Sequence, residues 1–446
     1  MTRPCIRPEE LYFTCICLIY LVIATAYNFV VPAATQLQHN PDEPAHYAYV
    51  QMLASGHIPV FRANPREFEG YQPPLYYAIC VVPYLALQSF GDRCCEHGVR
   101  FVSTLIGLLT ILAAFLTMRV WFPSNVWLRL SVTAYIAFLP QFDNLSASVN
   151  NDTLTILLTT VCIWQMAKLC VIKSEDPSSD SIKMPVILGI LIGIGLLTKV
   201  SSIVVVPSIL FCILYRSPAG GSQLWLGLRN AAICLVASVI TALPWLIRNK
   251  IVYGNFLASG VIHSFQKTNV TAAAMVYWKF KTPLAYLIGV SHWTFASWWG
   301  VFDAERLFWG NSFRQDQQEV LSPLPHIYDW VFILVLISII GLMLRKGRKI
   351  MPYSAPQSTI FRATEIALVV NCVSFFLFNL TFYQPQARYL YPSIVPITLI
   401  FWLGWQGWTT NQSVLWSISG LILGGLIALN VYTIFFQMIP RFAGLS

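Results

Sequence analysis

The sequence predicts an all-α polytopic membrane protein, and three observations predict it. The chain of 446 residues is 56% hydrophobic and only 11% charged. Its mean hydropathy is +0.62, and long apolar runs recur along its whole length. A water-soluble globule of this composition would have too little polar surface to cover its apolar residues. The runs correspond to about 11 transmembrane helices, the first of them about the roughly 20 residues that span a hydrocarbon core.

The first run covers residues 11–32. It is long for the apolar core of a secretory leader and no small-residue cleavage site stands out before Gln36, so it reads as a retained helix. Further runs lie near 73–90, 101–118, 128–142, 153–172, 184–198, 201–215, 230–247, 328–344, 363–382, 389–407 and 413–437. Most connections are short and polar, but residues 33–72 and 248–327 are too long to be simple turns. The chain therefore reads as a single integral membrane domain, 1–446, with a first outer loop at 33–100 carrying juxtamembrane helices and a second long outer loop at 248–327.

Orientation follows from positive charge, which is enriched in short cytoplasmic loops. The anchors are Arg3 and Arg7, the stretch from Lys168 to Lys183, the stretch from Arg216 to Arg229, and Arg345-Lys346-Gly347-Arg348-Lys349. All are cytoplasmic together only if residues 73–90 do not cross the membrane. Pro73, Pro74 and the aromatic content of that run suit a juxtamembrane or re-entrant helix, and a genuine span is the alternative. With 73–90 at the interface, Asp42, Glu43, Gln72, Arg100, Asp152, Lys199, Arg248, Asn249 and Arg388 share the outer face. With 73–90 spanning, Asp152 falls opposite Asp42.

The net charge of +9 is scattered among apolar runs, with no basic stripe or tail, so lipid headgroups and phosphates are the expected partners and nucleic acid is not. The eleven cysteines lie mostly inside apolar runs, where Cys behaves as a small hydrophobe. Cys94 and Cys95 are adjacent, and a bridge between neighbours is strained. No CxxC or HxxxH spacing occurs, and no metal or other cofactor is expected.

The candidate chemistry begins at Asn40-Pro41-Asp42-Glu43-Pro44-Ala45-His46-Tyr47, just beyond the first run. A carboxylate beside the membrane can act as general base on a hydroxyl. Asp42 is the candidate base, with Glu43 or His46 orienting it or the acceptor; an interfacial helix cap is the simpler reading of the same residues. Gln72 belongs to Glu69-Gly70-Tyr71-Gln72-Pro73-Pro74-Leu75-Tyr76-Tyr77, a polar pair ahead of a proline-led helix. Asp152 ends the polar interruption that starts at Pro140 and opens the next run, so it reads either as a second acid or as an N-cap. Lys199 sits between two runs too apolar to spare a charge, which marks it as functional unless it snorkels. Arg248-Asn249 and Arg388-Tyr389 complete the polar set; guanidinium groups hold phosphate through paired hydrogen bonds. Trp298, in Ser297-Trp298-Trp299-Gly300-Val301-Phe302, reads as an interfacial anchor or as a surface for a sugar or isoprenoid.

The order of these motifs is more specific than any one of them. An acidic pair after the first helix, Gln72-Pro73-Pro74-Leu75-Tyr76-Tyr77, Asn151-Asp152, Leu196-Leu197-Thr198-Lys199, Pro244-Trp245 with Arg248-Asn249 and Tyr253-Gly254, Ser297-Trp298-Trp299-Gly300, and Ala387-Arg388-Tyr389-Leu390-Tyr391-Pro392 follow one another through most of the chain. Together they resemble the GT-C superfamily of membrane glycosyltransferases, especially the bacterial branch related to protein O-mannosyltransferases and lipid A aminoarabinose transferases. The resemblance implies a polyprenyl-phosphate-linked sugar donor, a hydroxyl acceptor, no metal, inversion, and catalytic acids at Asp42 and Asp152. One departure is that Tyr71-Gln72-Pro73-Pro74 stands where the aminoarabinose transferases have Glu-Lys-Pro-Pro, so Lys199, Arg248 or Arg388 would have to supply the missing cation.

The expected function is sugar transfer at the outer face of a bacterial inner membrane. Catalysis falls to Asp42, Glu43 and Asp152, and substrate binding to His46, Gln72, Lys199, Arg248, Asn249, Trp298, Arg388 and Tyr389. A transporter or flippase of lipid-linked sugars is the alternative. It would show inverted repeats or paired broken helices in matching halves, which this sequence does not display.

Overall fold

Antiparallel contact between the first helix and the fourth fixes the arrangement of the site. In this computed structural model, which describes residues 8–31, 42–62, 66–172, 182–216, 221–258, 260–261, 271–300, 327–348 and 354–442, all regular structure is helical. The first half contains α1 (Pro8–Val30), α2 (Glu43–Ala54), α3 (Leu75–Leu87), α4 (Asp92–Trp121), α5 (Val126–Ala137), α6 (Pro140–Ser146), α7 (Asp152–Ile172), α8 (Lys183–Leu196) and α9 (Val206–Arg216). The second contains α10 (Gly221–Tyr253), α11 (Pro283–Trp299), α12 (Ile327–Arg348), α13 (Ala355–Thr381), α14 (Ile394–Trp408) and α15 (Gln412–Tyr432). Asn40-Pro41, Val301-Phe302 and the rest of 301–326 in the second long loop lie outside the described residues.

Phe13 stacks on Phe115 with ring centroids 4.2 Å apart, Tyr20 donates to the Thr104 carbonyl at 3.0 Å, and Asn28 donates to the His97 carbonyl at 3.2 Å. The end of α1 therefore meets the start of α4. Everything between them, α2 and α3 included, stays at that one end of the bundle. The 13 residues of α3 extend about 20 Å at 1.5 Å per residue, short of a roughly 30 Å hydrocarbon core. The α3 helix thus lies at the end of the bundle where α1 ends and α4 begins.

Among the described residues, seven helices are long and apolar enough to cross a membrane: α1, α4, α7, α10, α12, α13 and α15. The helices α3, α5, α8 and α9 are apolar but shorter. A short helix is tolerated at membrane depth when protein rather than lipid surrounds it, and α5 is the clearest case, being buried from Trp127 to Ala137. Trp127 meets Trp402 of α14 edge-on at 5.8 Å and donates to Ser419 of α15 at 2.7 Å. Helices α12 and α14 approach at backbone distance, because a Cβ on Gly404 would strike Ser338 and one on Gly407 would strike Gly341. Small residues at such crossings replace a hydrophobic driving force with close van der Waals contact.

Three chain reversals meet α2 and α3 at the site end. One is the break between α6 and α7. A second is the turn through residues 197–199, which leads from α8 into the short 3-10 helix Val200–Val205. The third is the 3-10 turn Ala387–Ser393 between α13 and α14. Asn371 of α13 holds this last turn by donating to the Leu390 carbonyl at 3.2 Å and to Ser393 at 3.1 Å.

Candidate active site

Asp42 immediately precedes α2 with φ 62°, in the left-handed region that Asp tolerates better than most residues. It sits at the N-cap position, yet its side chain caps nothing. Its carboxylate instead accepts a hydrogen bond at 3.0 Å from Arg388, a residue 346 positions away in the chain. The same guanidinium lies 3.7 Å from Asp152, whose other oxygen meets the Lys199 ammonium at 2.5 Å. Asn150 bonds the Asp152 backbone N–H at 2.7 Å, so the Asp152 side chain is left for the cations. Tyr389 completes the group: its ring lies 5.2 Å from Arg388 and 5.7 Å from Lys199. The first loop, the break between α6 and α7, the 197–199 turn and the 387–393 turn thus converge on one cluster of alternating charge.

Burial alone would raise the Asp42 carboxyl, but the neighbouring cations, Arg388 foremost, outweigh it and hold it below the ordinary carboxylate range. Its side chain is 31% exposed, which leaves it reachable. His46, one helical turn on, is buried and shares a 2.7 Å hydrogen bond with Tyr77. Burial pushes its imidazole down to about 4 despite the nearby Asp42 charge, so the ring is neutral at physiological pH. Gln72 donates to Tyr71 at 3.1 Å and accepts from Asn151 at 3.3 Å, tying the α3 approach to the start of α7.

Glu69 is the site residue that sequence reasoning left out. Its carboxyl is buried, Oε2 has no hydrogen-bond partner, and burial followed by the Asp42 charge pushes it up to about 8. One ligand atom each from Asp42, His46 and Glu69 lies within 4.8 Å of the others. A signal was present: Glu69 is the acid directly ahead of Gly70-Tyr71-Gln72-Pro73-Pro74, separated from Asp42 only by sequence distance. Its placement depends on Gly70, where a Cβ would come within 2.6 Å of the Val60 backbone.

Four of the expected residues serve other contacts. Glu43 points away from Asp42, since successive helical residues differ by about 100°, and binds Arg100 through both oxygens at 2.8 and 2.9 Å. Arg248 stacks over Trp245 and Tyr253 and donates to the Pro59 carbonyl at 2.6 Å, while Asn249 donates to the Phe256 carbonyl at 3.2 Å. Both lie at the end of α10, where Arg248 and Tyr253 brace the segment carrying Glu69. Trp298 is a core residue: its indole donates to Tyr135 at 3.2 Å and packs edge-on against Tyr391 at 5.0 Å. It supports the turn that carries Arg388.

A family model described as dolichyl-phosphate-mannose-protein mannosyltransferase matches residues 73–247. An undecaprenyl phosphate-alpha-4-amino-4-deoxy-L-arabinose arabinosyl transferase of Proteus mirabilis is 31% identical over 240 residues. Two solved structures share the fold. The archaeal oligosaccharyltransferase AglB from Archaeoglobus fulgidus superposes over 96% of this chain with TM-score 0.54 and 12% identity. ArnT from Cupriavidus metallidurans, bound to undecaprenyl phosphate, covers 92% with TM-score 0.52 and 16% identity. The chain has a GT-C-like fold. The chain spans 39% of the arabinosyl transferase, 55% of the AglB chain and 62% of the ArnT chain. Its charged cluster is formed from both sides of the family-matched segment, with Asp152 and Lys199 inside it and Asp42 and Arg388 outside.

Proposed function

We propose that this integral membrane protein is a glycosyltransferase that moves a sugar from a polyprenyl-phosphate donor to a hydroxyl acceptor. Asp42 takes the hydroxyl proton as the acceptor oxygen attacks the anomeric carbon. The bond from that carbon to the phosphate oxygen breaks, the configuration inverts, and the lipid phosphate leaves with the electron pair. Arg388 and Lys199 stand where that charge develops, a contribution that is often the largest single term in catalysis. Asp152 holds both cations in place, and Tyr389 and Gln72 border the same space.

One observation carries this reading: Arg388 links Asp42 and Asp152 while its Nε remains a buried donor without a partner. Buried donors are nearly always satisfied, so the orphan fits a ligand oxygen such as that of a phosphate. The relatives' printed carriers, undecaprenyl phosphate and dolichol phosphate, give the donor class.

The domain is read as one membrane unit with its first loop, 33–100, and second loop, 248–327, contributing to the outer face. Positive charge supports that orientation, because Arg119, Arg129, Lys168, Arg345 and Lys346 lie toward the ends of their helices remote from Asp42. A bacterial inner membrane with the site toward the exterior is the matching location. Mass spectrometry of lipid-linked sugars and glycans, in cells with and without the protein, tests the function. Loss of one glycan with accumulation of its lipid-linked donor is expected; unchanged pools would refute it.

A further inference from the structure

We infer that Asp42, His46 and Glu69 together seat one hydroxyl oxygen of the acceptor, with Glu69 as a neutral hydrogen-bond donor and Asp42 as the one anion of the three. The inference deepens the transferase reading and rests on it for the identity of the ligand. Its geometric basis is independent of that reading. Three atoms mutually within 4.8 Å leave a point no more than about 2.8 Å from each, the length of an O–H···O hydrogen bond.

The charges make Glu69 the neutral partner. Lys199 is matched by Asp152 and Arg388 by Asp42, whereas no described cation forms an ion pair with Glu69. A buried ionised carboxylate without a cation is strongly disfavoured, and the unpartnered Oε2 is the atom left to carry a proton. The groups facing it are Asp42 and His46 at α2, Lys199 from the α8 turn, Arg388 from the 387–393 turn, and Tyr71 and Tyr77 beside it. Burial and the Asp42 charge act together to keep the proton on, so ionisation falls near pH 8. During transfer Glu69 keeps its proton throughout. The hydroxyl proton goes to Asp42, and the two carboxyls do not compete for it. Two cations already at the site disfavour a divalent ion in the same space.

The test is infrared difference spectroscopy and transfer kinetics on the full chain in lipid nanodiscs, with methyl glucoside as the hydroxyl probe. A protonated-carboxyl band that shifts with methyl glucoside is expected at neutral pH in the wild type and is absent from Glu69→Gln, distinct from any band of the buried Asp143 carboxyl, which the probe leaves unmoved. This readout involves no sugar donor, so it stands or falls separately from the transferase reading. In kinetics, Glu69→Gln should leave the acceptor KM within a few-fold and remove its rise above about pH 8. Glu69→Ala should raise the acceptor KM about tenfold, the loss of one hydrogen bond, with the donor KM unchanged. Absence of the band, indifference of the band to methyl glucoside, or abolition of both the band shift and turnover by a chelator with recovery on adding Mn²⁺ would each overturn the inference.

Discussion

Arg100 and Glu43 form a two-point ion pair at 2.8 and 2.9 Å with neither side chain more than 3% exposed. Arg100 also meets Glu96 at 3.0 Å and the carbonyls of Asn28 and Val31, while Glu43 accepts from the Val149 backbone N–H at 2.8 Å. One carboxylate thus ties α2, α4 and the approach to α7 together, and it does so one residue from Asp42. Removing either partner leaves an uncompensated buried charge, which costs about 3–5 kcal/mol. Arg100→Met and Glu43→Gln should each lower the thermal midpoint in detergent markedly. The double variant should recover part of the loss; simple additivity would show that the pair does not act as a unit.

Asp42 and Glu43 are neighbours with opposite expected phenotypes. Asp42→Asn should cut transfer about 10²–10⁴-fold, the scale of a lost general base, while lowering the thermal midpoint less than Glu43→Gln, because Asp42 is 31% exposed and Arg388 keeps Asp152 at 3.7 Å. Full transfer by Asp42→Asn would remove the base assignment. Arg388→Lys keeps the charge but loses the fork that reaches both acids. It should therefore impair turnover more than folding, and wild-type turnover would argue against a phosphate role for the guanidinium.

The difference between Asp42 and Glu43 also marks what the sequence could reveal. Apolar runs point to helices, and the positive-charge pattern favours residues 73–90 returning to the face they start from, the reading under which all the basic anchors share one side. The convergence of Asp42, Asp152, Lys199 and Arg388 follows from that parity once the reversals share one end. Direction around a helix does not follow, and so Glu43, adjacent to the base, turns to Arg100 instead. Arg248 and Trp298 look like ligand residues by type, but cation–π stacking and core packing use the same side chains. Glu69 was obscured for a related reason: only the close approach of Gly70 to Val60 brings it back to Asp42.

The pH dependence of stability should be flat-topped. His46, held at about 4 against an ordinary 6.5, gives stability that is lost as pH falls through that interval. Glu69, held at about 8 against an ordinary 4.5, gives stability that is lost as pH rises toward 8. The two slopes oppose one another between about 4.5 and 6.5, and above 6.5 the His46 slope is spent while the Glu69 slope remains. Thermal midpoints measured across that range should therefore decline from pH 6.5 to 8 in the wild type and not in Glu69→Gln. A decline that persists in the variant would assign it to another group.

Native cysteines test the orientation of the site. Cys94 is exposed in the first turn of α4, at the end of the bundle shared with Asp42, while Cys15 is exposed on the membrane-spanning part of α1. Ser124, in the exposed link between α4 and α5, lies at the opposite end. Thiolates react and thiols in hydrocarbon do not ionise, so a membrane-impermeant maleimide applied to intact spheroplasts should modify Cys94 and spare Cys15. A cysteine substituted at Ser124 should react only after permeabilisation, which also controls for leakage. The reverse pattern, with residue 124 labelled in intact spheroplasts and Cys94 protected, would turn the charged cluster toward the cytoplasm. It would then require the donor phosphate to be presented from the inner leaflet.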